Sequence, residues 1–166
     1  MAAAEVPANT VLSAIDGQTR NVEEWLITFQ LLGVVLDPFT YESAWLLDSA
    51  GEILRTFSGA SVRTAFVVTS TADEARQFCG PWADQVLIFA DPERAFVRSL
   101  DLEALPALFH LRQNRQLGGV AQGWDPPQWR AITQQVGRER RWSSPLIPGP
   151  GMPQPYPGSP ALSTTV

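Results

Sequence analysis

A short apolar run in the first quarter of the chain limits the folds open to it most strongly. Leu31–Leu36 reads Leu-Leu-Gly-Val-Val-Leu, and Asp37-Pro38 closes the run. A continuous apolar run that ends at a turn signal is typical of a strand covered on both faces. Because strands of this kind lie inside parallel sheets, the run predicts a central strand.

The rest of the chain alternates between strand-like and helix-like apolar spacing. The predicted order is a strand at 10–16, a helix at 21–25, the central strand, a helix from 43 to 57, a strand at 62–70, a helix capped by Thr71, a strand at 86–89, a helix at 93–100 with Ala95, Phe96 and Leu100 inward, a hairpin at 107–112 and 117–121, and a helix after Asp125. Such alternation implies parallel strands joined by helical crossovers, with the hairpin adding antiparallel strands. We therefore predict an α/β fold with a mixed sheet.

The composition changes abruptly at Trp142. The last 25 residues hold no charge and seven of the fourteen prolines. Proline removes a backbone donor and fixes φ, so this segment is not expected to form a regular helix or a central strand. The predicted organisation is a flexible N-terminus at 1–8, one domain at 9–141 and an extended proline- and glycine-rich arm at 142–166.

The arm carries apolar residues spaced among its prolines. We expect it to lie extended against its own domain or a second subunit from Trp142 to about Tyr156, with 159–166 mobile. The group Arg138, Arg140 and Arg141 just before the arm is predicted to pair with surface acids.

Charge and cysteine content exclude several classes of protein. The net charge is −5, which argues against a nucleic-acid or anionic-membrane surface, since both need a positive field. A single cysteine excludes an internal disulfide. A metal site would have to be built from the one histidine, His110, and carboxylates alone, so we expect no metal and no cofactor. We find no leader and no apolar run long enough to span a membrane, and we expect a cytoplasmic location.

A proline stands directly before the hairpin, in Leu105-Pro106-Ala107. With this proline, the element order over residues 9–137 resembles the thioredoxin-like superfamily, in its peroxiredoxin and thiol-peroxidase branch (the alkyl hydroperoxide reductase and thiol-specific antioxidant type). The resemblance implies a three-layer α/β/α fold.

The resemblance also points to a site. In that branch, a Thr-x-x-Cys motif opens the helix after the central strand, and its cysteine attacks peroxide. Thr40 matches the threonine here, and Ser43 stands where the cysteine would be. A serine hydroxyl lacks the acidity of a thiol and needs an adjacent base. The resemblance therefore implies a vestigial site of Thr40, Ser43 and Pro106 that no longer performs the redox step.

Cys79 allows two interpretations. Its setting, Gln77-Phe78-Cys79-Gly80, resembles the resolving cysteine of some two-cysteine thiol peroxidases. It also shares one helical face with Ala72 and Ala75, which is typical of a small core residue.

Three functional hypotheses follow. The first is a redox-inactive domain that binds another protein, or serves as an accessory module, through the rim of the former active site, with a homodimer as one alternative. The second is a thiol-dependent antioxidant or redox protein that uses Cys79 alone. The third is a domain that only carries the proline-rich arm. Trp45 lies on the rim, although its position on the helix also fits a core residue. The candidate partner-binding residues are Pro38, Phe39, Tyr41, Trp45, Trp124 and Trp142.

Overall fold

A seven-stranded mixed sheet forms the centre of the protein, of which the computed structural model describes residues 4–162. The strand order is β2-β1-β5-β4-β3-β7-β8. The strands are β1 (Val11–Ala14), β2 (Thr19–Asn21), β3 (Gln30–Leu36), β4 (Val62–Val68), β5 (Leu87–Ala90), β7 (Ala107–Leu111) and β8 (Leu117–Gln122). Strand β3 is buried along its whole length, parallel to β4 and antiparallel to β7. The predicted central strand and mixed sheet are confirmed.

Helices cover both faces of the sheet. The described helices are α1 (Val22–Trp25), α2 (Tyr41–Thr56), α3 (Ala72–Cys79), α4 (Ala95–Ser99) and α5 (Pro126–Arg140), with a 3-10 helix at Gly80–Asp84. Apolar residues of α2, α3 and α5 share one core cluster with Leu32 and Val34 of β3. Those of α1 and α4 share the other cluster with Leu31 and Val35. Because successive strand residues point to opposite faces, β3 contributes to both clusters.

Local capping fixes where two of the helices begin. Asn21 and Thr71 each accept a hydrogen bond from the backbone N–H three residues later, and Glu24 and Glu74 bond back to the backbone N–H of the cap. These capping boxes satisfy helical donors that otherwise lack partners. Thr71 caps its helix as the sequence predicts.

The structure corrects two details of the sequence analysis. Ala95 of α4 is exposed, and Val97 lies inward in its place beside Phe96. The N-terminal segment also packs: Val6 is fully buried, and its N–H donates to the Arg115 carbonyl at 2.9 Å. The prediction of a flexible N-terminus over 1–8 is therefore wrong for the residues that make these contacts. Residues 1–3 lie outside the described part of the chain.

The arm lies along helix α2 of its own domain. At the C-terminal end of α2, Trp142 Nε1 donates to the Thr56 carbonyl at 2.6 Å. At the N-terminal end, the Tyr156 hydroxyl donates to the Glu42 carbonyl. Between them Ile147 is buried. The arm thus runs antiparallel to a helix that is about 24 Å long.

Beyond Tyr156 the chain forms a further strand. Strand β9 (Ser159–Pro160) pairs antiparallel with β6 (Ala104–Leu105) in a small second sheet. Ser159 and Ala161 are buried, so the expectation that residues from 159 onward are mobile is wrong for these two; residues 163–166 lie outside the described part. Of the helices within residues 4–162, none is long and apolar enough to cross a membrane.

The space around Gly51 shows how tightly α2 packs. A Cβ at this position would lie 2.5 Å from Cε2 of the Trp82 ring, which rests on the helix there. Helix propensity alone favours alanine over glycine by about 1 kcal/mol, whereas overpacking costs about 1–3 kcal/mol. We expect Gly51→Ala to lower the free energy of unfolding, measured by chemical denaturation.

Trp82→Leu provides the matched background for this measurement. In that background the clash is relieved, so Gly51→Ala should become neutral or stabilising. The packing argument fails if Gly51→Ala stabilises the protein that retains Trp82.

Candidate functional site

The turn after β3 is held by the two hydroxyls of the expected vestigial site. Ser43 Oγ accepts a hydrogen bond from the Asp37 N–H at 2.9 Å, and Thr40 Oγ1 donates to the Asp37 carbonyl at 3.0 Å. The Asp37 carboxylate accepts from the Phe39 N–H at 3.0 Å. Ser43 is fully buried. Both hydroxyls therefore serve the backbone of the turn.

Pro106 lies at the same end of the sheet. Its peptide bond with Leu105 is cis, and the next residue, Ala107, pairs with Val35 of β3. Since Asp37 follows β3 by one residue, the register brings Pro106 beside the turn that Ser43 and Thr40 hold.

A buried ion pair closes this end of the sheet, and the sequence analysis missed it. Arg94 Nη2 lies 2.9 Å from Asp37 Oδ2, with both side chains buried. The other terminal nitrogen of Arg94 donates to the carbonyl of Ala161 in the arm. Arg94 has a left-handed backbone, with φ 58°, just before α4. Its position after Asp91-Pro92 suggests a turn but does not indicate its partners.

Cys79 lies inside the core cluster under α2 and α3. It is 1% exposed and unpaired. Burial raises the pKa of its thiol to about 12, because the charged thiolate would lose its hydration. The described structure places this sulfur in the environment of a core residue.

Three exposed aromatic side chains project around the start of α2. Phe39, Tyr41 and Trp45, here called the aromatic cluster, are 67%, 76% and 59% exposed. Tyr41 and Trp45 stack with ring centroids 6.2 Å apart, and Tyr156 of the arm meets Trp45 edge-on at 5.7 Å. The interpretation of Trp45 as a core residue is therefore wrong. Pro38, beside the cluster, is half-buried.

The two other candidate tryptophans differ from each other. Trp124 is 1% exposed and packs edge-on against Trp129, with the ring centroids 5.1 Å apart. The prediction that Trp124 binds a partner is therefore wrong. Its Nε1 donates to the Pro153 carbonyl at 2.8 Å, which shows that the arm covers it. Trp142 is partly exposed and anchors the start of the arm.

His110 is buried, and its ring forms a hydrogen bond with a side chain of the neighbouring strand β3. Its Nε2 lies 2.8 Å from Gln30 Oε1. Burial lowers the pKa of the imidazole to about 4, with smaller effects from Glu139, which raises it, and from Arg112 and Arg140, which lower it. No group of three or more histidine, cysteine, aspartate or glutamate side chains in residues 4–162 is placed to hold a metal ion.

Solved structures with the same architecture are numerous. Peroxiredoxin Q from Xanthomonas campestris superposes with a TM-score of 0.68 at 15% identity, covering 84% of this chain and 98% of that one. A Chlorobium tepidum protein described as thiol:disulfide interchange protein DsbE gives 0.65 at 13% identity, covering 84% and 98%. A hypothetical protein from Sinorhizobium meliloti 1021 gives 0.67 at 12% identity, covering 99% and 96%.

The fold is thioredoxin-like. The identities to these structures are low enough that the similarity establishes the architecture alone. Searches of protein-family models and of curated proteins returned no match. Only the side chains of this thioredoxin-like chain therefore indicate its function.

The reactivity of the Cys79 thiol in this thioredoxin-like domain can be tested directly. With its pKa raised to about 12, Cys79 should carry on the order of 10³-fold less thiolate at pH 8 than a free cysteine. We expect labelling by a thiol reagent to be slow in the native state and to become fast on unfolding.

Ser58→Cys, which places a thiol at an exposed position after α2, is the control for reagent and conditions. Native Cys79 labelling as fast as that of the introduced thiol would show that the sulfur is accessible and would revive a redox role.

The buried imidazole of His110 leads to a prediction about acid stability. The folded pKa of His110, about 4, lies below its ordinary 6.5, so protons bind the unfolded chain more strongly. The contribution of neutral His110 to folding stability is therefore complete above pH 6.5. It amounts to up to about 3 kcal/mol and is lost as the pH falls from 6.5 through 4.

Comparison of wild type with His110→Gln isolates this effect from other acid titrations. The stability difference, measured by urea denaturation, should shift in favour of the variant between pH 6.5 and pH 4. A difference that stays constant across this range would contradict the buried neutral imidazole.

Proposed function

We propose that this protein is a redox-inactive thioredoxin-fold module that binds an extended, proline-containing segment of another protein at the aromatic cluster. The observation that carries the proposal is the exposure of three neighbouring aromatic side chains, Phe39, Tyr41 and Trp45, on a rigid turn and helix start. Large exposed aromatic surface of this kind is characteristic of interaction sites.

The loss of redox chemistry is supported by both positions that could perform it. Ser43 is buried and its oxygen is engaged by the Asp37 N–H. Cys79 is buried with a thiol pKa of about 12 and is the only cysteine in the chain. Neither group provides an accessible nucleophile near neutral pH, which argues against the antioxidant alternative.

The choice of partner chemistry rests on what the cluster already contacts. The arm reads Pro155-Tyr156-Pro157, and the Tyr156 ring packs against Trp45. Grooves lined by aromatic side chains bind proline-rich segments because these are extended and lose little entropy on binding. Tyr41 and Phe39 remain uncovered beside this contact, which leaves room for a second such segment.

The backbone under the cluster is fixed before any partner arrives. The Phe39 N–H is bonded to Asp37, and the Asp37 side chain is paired with buried Arg94. A surface that is already ordered needs little rearrangement, so more of the interaction energy appears as affinity.

A peptide-binding experiment tests this surface. A panel of fluorescent peptides with proline-aromatic-proline sequences is titrated with the protein, and binding is followed by fluorescence polarisation. We expect Tyr41→Ala and Trp45→Ala each to weaken the best peptide by about tenfold or more, which corresponds to about 1.4 kcal/mol. Tyr41→Ala is the cleaner variant because Trp45 also contacts the arm.

Ile27→Ala is the matched control, since Ile27 is 74% exposed and lies outside the cluster. It should leave affinity unchanged. Equal loss in the control, or failure of every peptide to bind wild type, would contradict the proposed surface and ligand.

A further inference from the structure

Three arginines lie close together where α5 ends. Arg138, Arg140 and Arg141 lie within four residues, and none of them forms an ion pair with any residue between 4 and 162. Glu139, the one acid among them, pairs with Arg112 instead. The two terminal nitrogens of Arg112 lie 3.2 and 3.0 Å from the Glu139 carboxylate oxygens. The predicted pairing of these arginines with surface acids is therefore wrong.

Two of these arginines line one cleft. Arg138 and Arg141 are three residues apart and border an open cleft of about 550 Å³. The remaining walls are Gln134, Gly137, Trp142, Ser143 and Ser144. Within the described chain, no protein hydrogen bond engages the side chains of Arg138, Arg141, Gln134, Ser143 or Ser144. The cleft, here called the arginine cleft, is thus bordered by residues that carry two guanidinium groups, two hydroxyls and an amide, all with donors that no other described residue uses.

The backbone forms the arginine cleft by turning sharply at the end of the helix. Arg141 has a left-handed conformation, with φ 54°, which turns the chain back over the last helical turn. The Trp142 N–H then donates to the Gly137 carbonyl at 2.8 Å, and Trp142 Nε1 donates to the Thr56 carbonyl. These bonds fix the wall that carries Ser143 and Ser144.

Arginines in a last helical turn often do no more than complement the helix dipole. Arg98, in the last turn of α4, is an arginine in the corresponding helical position, and its charge acts on Asp91. The arginine cleft differs in two ways. Its donors come from both the helix and the returning arm, and the Gly137 and Arg138 carbonyls are already bonded to the Trp142 and Arg141 N–H groups. The negative end of the helix is therefore partly satisfied by the backbone itself.

We propose that the arginine cleft binds a phosphate group, carried either by free phosphate or by a phosphate monoester. Two permanently charged guanidinium groups balance the charge of a dianion, and each can donate two parallel hydrogen bonds to phosphate oxygens. The hydroxyl and amide donors add to those of the two guanidinium groups. A phosphate group has at least three terminal oxygens, so it can accept from more of these donors than a carboxylate can. This site is separate from the aromatic cluster and does not depend on the function proposed there.

The test is calorimetric titration of the full chain with inorganic phosphate, phenyl phosphate and acetate, each at constant ionic strength adjusted with sodium chloride. We expect saturable binding of at least one phosphate species, with acetate weaker by about tenfold or more. Tighter binding of phenyl phosphate would identify a monoester as the ligand, and equal or tighter binding of inorganic phosphate would identify the free ion.

Arg138→Gln and Arg141→Gln should each raise the dissociation constant by about tenfold or more, whereas Arg98→Gln should change it by less than about twofold. Melting temperatures without phosphate show whether each variant is folded, and Ser143→Ala supplies a second, milder substitution in the cleft. The proposal is overturned by absence of saturable phosphate binding, by acetate binding as tightly, or by equal losses in Arg98→Gln.

Discussion

The buried ion pair between Arg94 and Asp37 is the contact on which this end of the molecule depends. It joins the turn after β3 to the turn before α4, and the second bond of Arg94 adds the end of the arm through the Ala161 carbonyl. Removing one partner of a buried pair costs about 3–5 kcal/mol, because the other charge stays behind without compensation. The aromatic cluster starts two residues after Asp37, so its geometry is set by this pair.

The same turn shows what the two hydroxyls of the expected vestigial site do in the structure. Ser43 accepts from the Asp37 N–H and Thr40 donates to the Asp37 carbonyl, so both hydroxyls stabilise the backbone. A buried N–H left without a partner would cost about 1–3 kcal/mol, which gives Ser43 a structural reason to be there. The two hydroxyls therefore support the shape of this turn, on which the proposed binding surface depends.

Features encoded by local sequence were predictable, and features that depend on distant contacts were not. The apolar run of β3 and the capping box at Thr71 follow from neighbouring residues alone. The partner of Asp37 lies 57 residues away, and nothing near Arg94 indicates it. Trp124 lies in a loop by sequence, yet it is buried because the arm 29 residues later covers it. At the site, the residue types around Ser43 were apparent, but the exposure of Trp45 depended on how α2 is rotated against the sheet.

The composition of the arm follows from how it is bound. The domain donates to carbonyls of the arm, from Arg130 to Ile147, from Trp124 to Pro153 and from Arg94 to Ala161. An extended segment that packs on a helix would normally present backbone N–H groups that need partners. Proline has no N–H, so each proline in the arm removes one such requirement while leaving its carbonyl free to accept. A chain rich in proline and free of charge can therefore lie against α2 at little cost in unsatisfied donors, and it connects the arginine cleft at one end of that helix to the aromatic cluster at the other.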